Sequence, residues 1–428
     1  MSEKQKIRIL VFDCWLPGFL YVRHIAERDD VDLIFVHNSE SQTGQPAKEY
    51  KDFKANLQVP GWVSDFSQFG GDFNRMFDEL KPDILLVTSM HYVECRSALM
   101  FAGARGAKTA FIPHGIFLLD RDKTPTAPSS GKSRLFALFT KIPRVFYYTR
   151  LFWRAHFQRY GHKKLGPALA CYKSLMTRYS RWQWSADPAA QTYYAGLLDL
   201  AIIYDPSVRD HYLEHSPKIF SRTRFVLAGT LDTGKILAEA RKTPTAEIMD
   251  KPADEAGEKV AYYISSPYPE NFNDAGAEIL ADLMGRLKLV AEAGGCDRLV
   301  YRPHPGEPSW FVDRVCAKAG IERDAMPGLG GLLAADLVCS TSSSLLYVAI
   351  KLGKPILVLR SGRFKADEPY FEPLISHPKI GFDGDADPQA EAARHGDELR
   401  RLLREAPRPD LGSLLDPADA LLEAAERG

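Results

Sequence analysis

The 428-residue chain has no surplus charge: 55 basic residues stand against 55 acidic ones, and nothing in the total points to a nucleic-acid partner. It has no run of about 18 apolar residues of the kind that spans a bilayer. It opens Met1-Ser2-Glu3-Lys4-Gln5-Lys6 and enters an apolar strand at once, without the long apolar segment of a secretion signal, so a cytoplasmic location is expected. No Gly-x-Gly-x-x-Gly follows that strand, where Gly18 stands alone, and this argues against a dinucleotide cofactor. Gly328 to Gly331 has no following lysine and is not a P-loop; it suits a turn before the Leu332 helix. Six cysteines, at 14, 95, 171, 296, 316 and 339, show no metal-ligand spacing, and buried reduced thiols sitting singly are expected. The sequence supplies no Asp-x-Asp metal motif, so no essential metal is expected, and no cofactor is expected either. Acidic residues are missing altogether from 123 to 186.

What is present is an ordinary soluble composition, 45% apolar and 26% charged, in a length that suits two to three domains. Ile7 to Phe12 reads as a buried strand ending at Asp13, followed by a helix over 19–28 and a strand over 32–37, the opening of a parallel α/β domain. Residues 39–70 look like an excursion over the sheet. The pattern resumes with the strand Ile84 to Thr88, which delivers Ser89, Met90 and His91 to its end. A helix over 92–105 and the strand Thr109 to Ile112 follow, ending in Pro113-His114-Gly115. Gln191 to Leu197 reads as a short helix, Leu198 to Ile203 and Arg224 to Ala228 as strands, and Lys235 to Glu258 as a polar linker. The expected architecture is two doubly wound Rossmann-like domains facing a cleft. The first covers 1–235, with an insertion over 120–190; the linker is 236–258; the second covers 259–428, with a last helix returning toward the first domain.

The stretch 298–360 carries the chemistry. Leu299, Val300 and Tyr301 form a strand that Pro303 must end, because proline cannot continue a central ladder. His304 is thereby placed at a carboxyl strand end, with Arg302 beside it. Asp336 to Cys339 reads as a second strand and Ser340-Thr341-Ser342-Ser343-Ser344 as its loop. Then come a helix closed by Gly353 and the strand Pro355 to Leu359. Ligands of such sheets bind at carboxyl strand ends. The hydroxyls and free amides of Ser343, Ser344 and Leu345 at a helix N-terminus suit a phosphate group. A serine N-cap without a ligand is the plainer alternative, and His304 fits equally well as a satisfied loop histidine.

This combination resembles the C-terminal half of GT-B transferases that build bacterial surface polysaccharides. It is similar to CDP-glycerol glycerophosphotransferases and to CMP-dependent sialyl- and Kdo-transferases, whose "HP" and "SS" motifs correspond to His304-Pro305 and Ser342-Ser343. The resemblance implies a nucleotide-activated donor, CMP- or CDP-linked, held by His304, Ser342 and Ser343, with Ser344 or Thr341 beside them and Ser266 of the Ser265-Ser266-Pro267-Tyr268 loop turned toward the donor. Arg302, one residue outside the turn, is a further donor candidate, with pairing to a surface carboxylate as the alternative. The His114-Gly115 pair resembles the glycerophosphotransferase site of the acceptor base. His114 is therefore the first candidate base, Asp13 the second and His91 the third, since each sits at a carboxyl strand end and histidine titrates near neutral pH. For Asp13, capping its own loop is an equal alternative. His304 serves as acid toward the leaving phosphate. The acceptor is a hydroxyl of a cell-surface glycan or lipid-linked molecule. Epimerases of the UDP-N-acetylglucosamine type share the scaffold but need a carboxylate cluster that the sequence does not locate. A non-enzymatic membrane or polyanion binder is the remaining alternative.

Residues 123–186 interleave lysines and arginines with Phe136, Phe139, Phe146, Tyr147, Tyr148, Phe152, Trp153, Phe157, Tyr160, Trp182 and Trp184. Such a mixture suits the inner face of a membrane; a helical subdomain with inward aromatics and solvated charges is the other reading. No nucleic-acid module is recognised.

Overall fold

A computed structural model describes residues 6–39, 58–113, 134–177, 187–242, 257–266, 272–304, 307–324, 330–341, 343, 345–362, 380–407 and 411–426. The chain divides into two compact units, Met1–Leu231 with Pro417–Gly428, and Asp232–Asp416.

The first unit runs β1 (Ile7–Asp13), α1 (Phe19–Ala26), β2 (Val31–His37), β3 (Val63–Asp65), α2 (Phe73–Leu80), β4 (Ile84–Val87), α3 (Val93–Ala104) and β5 (Lys108–Phe111). It continues through α4 (Arg134–Tyr160), α5 (Leu165–Thr177), α6 (Pro188–Tyr193), β6 (Leu200–Ile203), α7 (Pro206–His215) and β7 (Arg224–Leu227). The strands form one parallel sheet in the order β3-β2-β1-β4-β5-β6-β7. Both faces of β1 are buried, which explains its unbroken apolar run. Ile9 and Val11 pack with Phe19, Val22 and Ile25, while Phe12 meets the edges of Phe66 and Phe73 on the other side.

Two local readings need correction. The 39–70 segment contributes to the core: Val63–Asp65 pairs with β2, and Phe66 and Phe69 are buried behind it. A three-residue edge strand is too short to leave a period in the sequence. The helix expected over 191–197 starts earlier, at Pro188, because Asp187 caps it by accepting from the amides of Ala189 and Ala190 and proline occupies the first turn.

The second unit takes in nearly all of α8 (Leu231–Lys242), then β8 (Val260–Ile264), α9 (Asp274–Ala293), β9 (Arg298–Arg302), α10 (Ser309–Ala319) and β10 (Glu322–Arg323). After these come α11 (Gly330–Ala334), β11 (Leu337–Ser340), α12 (Leu345–Lys351), β12 (Ile356–Arg360), β13 (Ile380–Asp383) and α13 (Pro388–Glu405). Its sheet is also parallel, ordered β10-β9-β8-β11-β12-β13. Gly353, at φ 73°, ends α12 in the left-handed region that favours glycine. Residues 235–242, polar in composition and read as linker, are helical because the apolar positions are spaced for one buried side, with Ile236 fully enclosed. The closing helix α14 (Pro417–Glu426) belongs to the first unit. Ala418 and Leu421 are buried there, Asp419 pairs with Arg28 at 2.7 Å, and Lys108 Nζ donates to the Ala424 carbonyl.

Candidate functional site

In each sheet the strand order reverses once, between β1 and β4 in the first and between β8 and β11 in the second, and in open α/β sheets the crevice beyond the carboxyl ends at that point is where ligands bind.

In the second unit, β9, β8 and β11 lie side by side. They bring three loops to one edge: His304 after β9, Ser265 and Ser266 after β8, and Thr341 and Ser343 after β11. Ser340 Oγ donates to the Ile264 carbonyl at 2.7 Å, tying the two strands of the reversal together. Ser266 and Thr341 are buried, whereas His304 and Ser343 are half-buried. Ser342 and Ser344 lie outside the described residues.

Glu307, which the sequence reading did not single out, organises this edge. Its Oε2 accepts from the His304 amide at 2.9 Å, and its own amide donates to the His304 carbonyl at 2.9 Å, so backbone and side chain close one four-residue turn. Its Oε1 accepts from Ser265 Oγ at 2.6 Å, and the Tyr301 hydroxyl lies 3.1 Å away. Burial pushes the Glu307 pKa up, partly opposed by the Ser265 and His304 donors. One carboxylate thus joins the β8 loop to the β9 loop. An acid three residues after His304 was the available signal.

Two candidates at this edge have local partners. Ser343 is a helix cap: its Oγ accepts from the Leu345 amide at 3.3 Å and its carbonyl from Leu346, so Leu345 N–H is already engaged. Helix α12 spans seven residues, and its dipole is correspondingly short. Arg302 turns onto its own unit, with Nη1 3.3 Å from the Tyr262 hydroxyl and 3.6 Å from Asp324, whose carboxylate also accepts from that hydroxyl.

At the reversal of the first unit, Asp13 ends β1. Its Oδ2 accepts from Thr88 Oγ1 across the gap to β4, and its Oδ1 from the Trp15 amide at 3.1 Å. A Cβ on Gly18 would stand 3.0 Å from Oδ2, so glycine permits the chain's close approach there. Burial pushes the Asp13 carboxyl up to about 6 despite these bonds. His91 is buried, and its carbonyl and that of Met90 accept from Arg96 Nη1 at 3.1 and 2.7 Å, which pins the loop after β4. Glu94 is buried in the same neighbourhood. Cys14 and Cys95, expected to sit singly, face each other with sulfurs 4.0 Å apart; all six cysteines are free and buried. Strand ends bring together residues far apart in sequence, which no spacing reveals. His114 lies just past the last described residue after β5.

Among the described residues no group of three or more His, Cys, Asp or Glu is placed to hold a metal ion. Asp-x-Asp spacing does occur, at Asp383-Gly384-Asp385-Ala386-Asp387, but these side chains serve the local chain. Asp385 accepts from Ser361 and Gly362, Asp383 from the Asp385 amide, and Asp387 caps α13.

The two reversals define a protein built of two Rossmann-like α/β units, the make-up of GT-B enzymes. No protein-family model matches the chain, and no curated protein matches its sequence. Among solved structures it is similar to one described as a UDP-N-acetylglucosamine 2-epimerase from Listeria monocytogenes, at 13% identity and TM-score 0.51, over 98% of this chain and 96% of that one. It is also similar to the wall teichoic acid polymerase TagF, at 11% identity and TM-score 0.50, over 100% of this chain and 90% of that one. At these identities the likeness is one of fold.

Proposed function

We propose that the protein is a transferase that moves a sugar or polyol-phosphate unit from a CMP- or CDP-linked donor to a hydroxyl of a cell-surface glycan or lipid-linked acceptor, without a metal. The observation that carries this reading is the delivery of Ser265, Ser266, His304, Thr341 and Ser343 by three adjacent strands to the strand-order reversal of the second sheet. Hydroxyls and an imidazole there suit a phosphate, and Ser342 and Ser344 neighbour Ser343 in the sequence. In the reaction the acceptor oxygen attacks the anomeric carbon of a CMP-sugar, or the outer phosphorus of a CDP-polyol. The bond to the CMP oxygen breaks, and charge gathers on that phosphate. Fixed donors stabilise the charge, and a protonated His304 returns a proton to it. The acceptor proton passes to a first-unit base, His114 first and Asp13 second. A carboxyl with a pKa near 6 is ionised at neutral pH yet basic enough to take a proton.

The test combines a thermal-shift panel of cytidine and uridine nucleotides with an assay of CMP release from activated donors. Cytidine-selective stabilisation that is lost in His304→Ala, with release that depends on acceptor, is the expected result. Stabilisation unchanged in that variant removes His304 from the donor site. A second reading, nucleotide-sugar epimerisation, is favoured by two buried carboxylates, Asp13 and Glu94, at the first reversal; it predicts an isomerised sugar and no release of nucleotide.

A further inference from the structure

We propose that the α4–α5 hairpin of the first unit docks on an anionic lipid surface. Phe146 and Phe157 stand eleven residues apart, three helical turns, and therefore share one face of α4. They are 71% and 47% exposed. Leu165 and Leu169, one turn apart on α5, are 38% and 56% exposed. The opposite side of α4 is already used: Phe152, Ala155 and His156 are buried, with Phe152 and His156 against Tyr193. The hairpin thus has an apolar inner side that holds it to the unit, and each of its helices also turns two large apolar side chains to solvent.

Charge decides what covers the outer side. Two arginines belong to the fold, Arg154 pairing with Asp72 at 3.0 Å and Arg159 reaching the carbonyls of Leu99 and Gly196. Arg150 on the Phe146 side of α4, and Lys163 and Lys164 at the turn, are exposed, and no acidic residue occurs anywhere from 123 to 186 to balance them. Exposed apolar groups ringed by cations match an anionic headgroup layer, where the apolar side chains enter the acyl boundary and the charges remain at its surface. A single-stranded nucleic acid would need ring faces for stacking, and half of the exposed apolar groups here are leucines, which have none. Among the described residues no helix is long and apolar enough to cross a membrane, so the hairpin rests on the surface. The inference shares only the lipid-linked acceptor with the proposed reaction.

The test is flotation of the full-length chain with phosphatidylcholine vesicles, with and without about one-third phosphatidylglycerol. Binding to the anionic vesicles alone, weakened by salt, is expected. Lys163→Glu with Lys164→Glu should weaken it by at least about 30-fold, and Phe146→Ser with Leu169→Ser should abolish it, each variant keeping the parent's thermal midpoint. No flotation, equal flotation on neutral vesicles, or parent-like binding by both variants overturns the proposal. So does capture of a single-stranded oligonucleotide in place of vesicles. Flotation is read without turnover, and CMP release with a soluble acceptor fragment should be unchanged in the variants, so failure of docking and failure of the transferase reading are distinguishable.

Discussion

The two strand-order reversals occupy the same place in the same kind of sheet, yet they are furnished with different proportions of carboxylate and hydroxyl. The first carries two buried carboxylates, Asp13, enclosed by Thr88, Trp15 and the close pass of Gly18, and Glu94 nearby, with the buried His91 in the loop after β4. The second carries hydroxyls and an imidazole, and among its described carboxylates Glu307 braces the loops while Asp324 holds Arg302. The fold supplies two equivalent positions, and side-chain choice separates a site suited to taking a proton from one suited to holding an anion.

Breaking the comparison at its proposed base should have the largest effect. His114→Ala should lower acceptor-dependent CMP release by about 10²–10⁴-fold while leaving nucleotide-induced stabilisation intact; a loss of nucleotide binding instead would move His114 to the donor side. Asp13→Asn tests the character of the first site through pH. The folded-state pKa of Asp13, about 6, lies above its ordinary value, so its contribution is full below about pH 4 and is lost as pH rises through 6, a swing of roughly 3 kcal/mol. Urea titrations from pH 4 to 7 should show this fall in the parent and its absence in the variant. At the second site, Glu307→Ala leaves the Ser265 hydroxyl and the His304 amide without their acceptor. It should cost about 2 kcal/mol by denaturant titration and weaken nucleotide binding further. Glu307→Gln, keeping an acceptor, should do less of both. The smallest effect sharpens the comparison as a control. Lys354 donates to the carbonyls of Leu333 and Ala335, and burial lowers its pKa to about 8. Lys354→Met should cost about 1 kcal/mol with unchanged nucleotide binding. It should also erase the gain in stability that the parent shows as pH rises from about 8 toward lysine's ordinary range.

Elements were legible wherever the chain is buried on both sides, as in Ile7–Asp13, Ile84–Val87 and Leu337–Ser340, because parallel strands leave dense apolar runs. Val63–Asp65 was not, being three residues at a sheet edge. The positions of Asp13, Ser266, His304 and Ser343 at carboxyl strand ends followed from the punctuation after each strand. Their supports did not: the bonds of Asp13 to Thr88 and of Glu307 to Ser265 cross between strands, and pairing across a sheet is a property of topology that one sequence does not display. Arg302 shows the converse. Its place in the motif was clear, but its guanidinium answers to Asp324, a partner fixed by the neighbouring strand.

The return of α14 to the first unit has a consequence for biogenesis. Ala418 and Leu421 lie in the core of that unit, and the Ala424 carbonyl receives Lys108, so on the ribosome the unit translated first is the last to be completed. Until residues 417–426 emerge, a gap beside β1 and β6 stays open while the whole second unit is synthesised. A nascent chain stalled within the second unit should bind holdase chaperones through that gap.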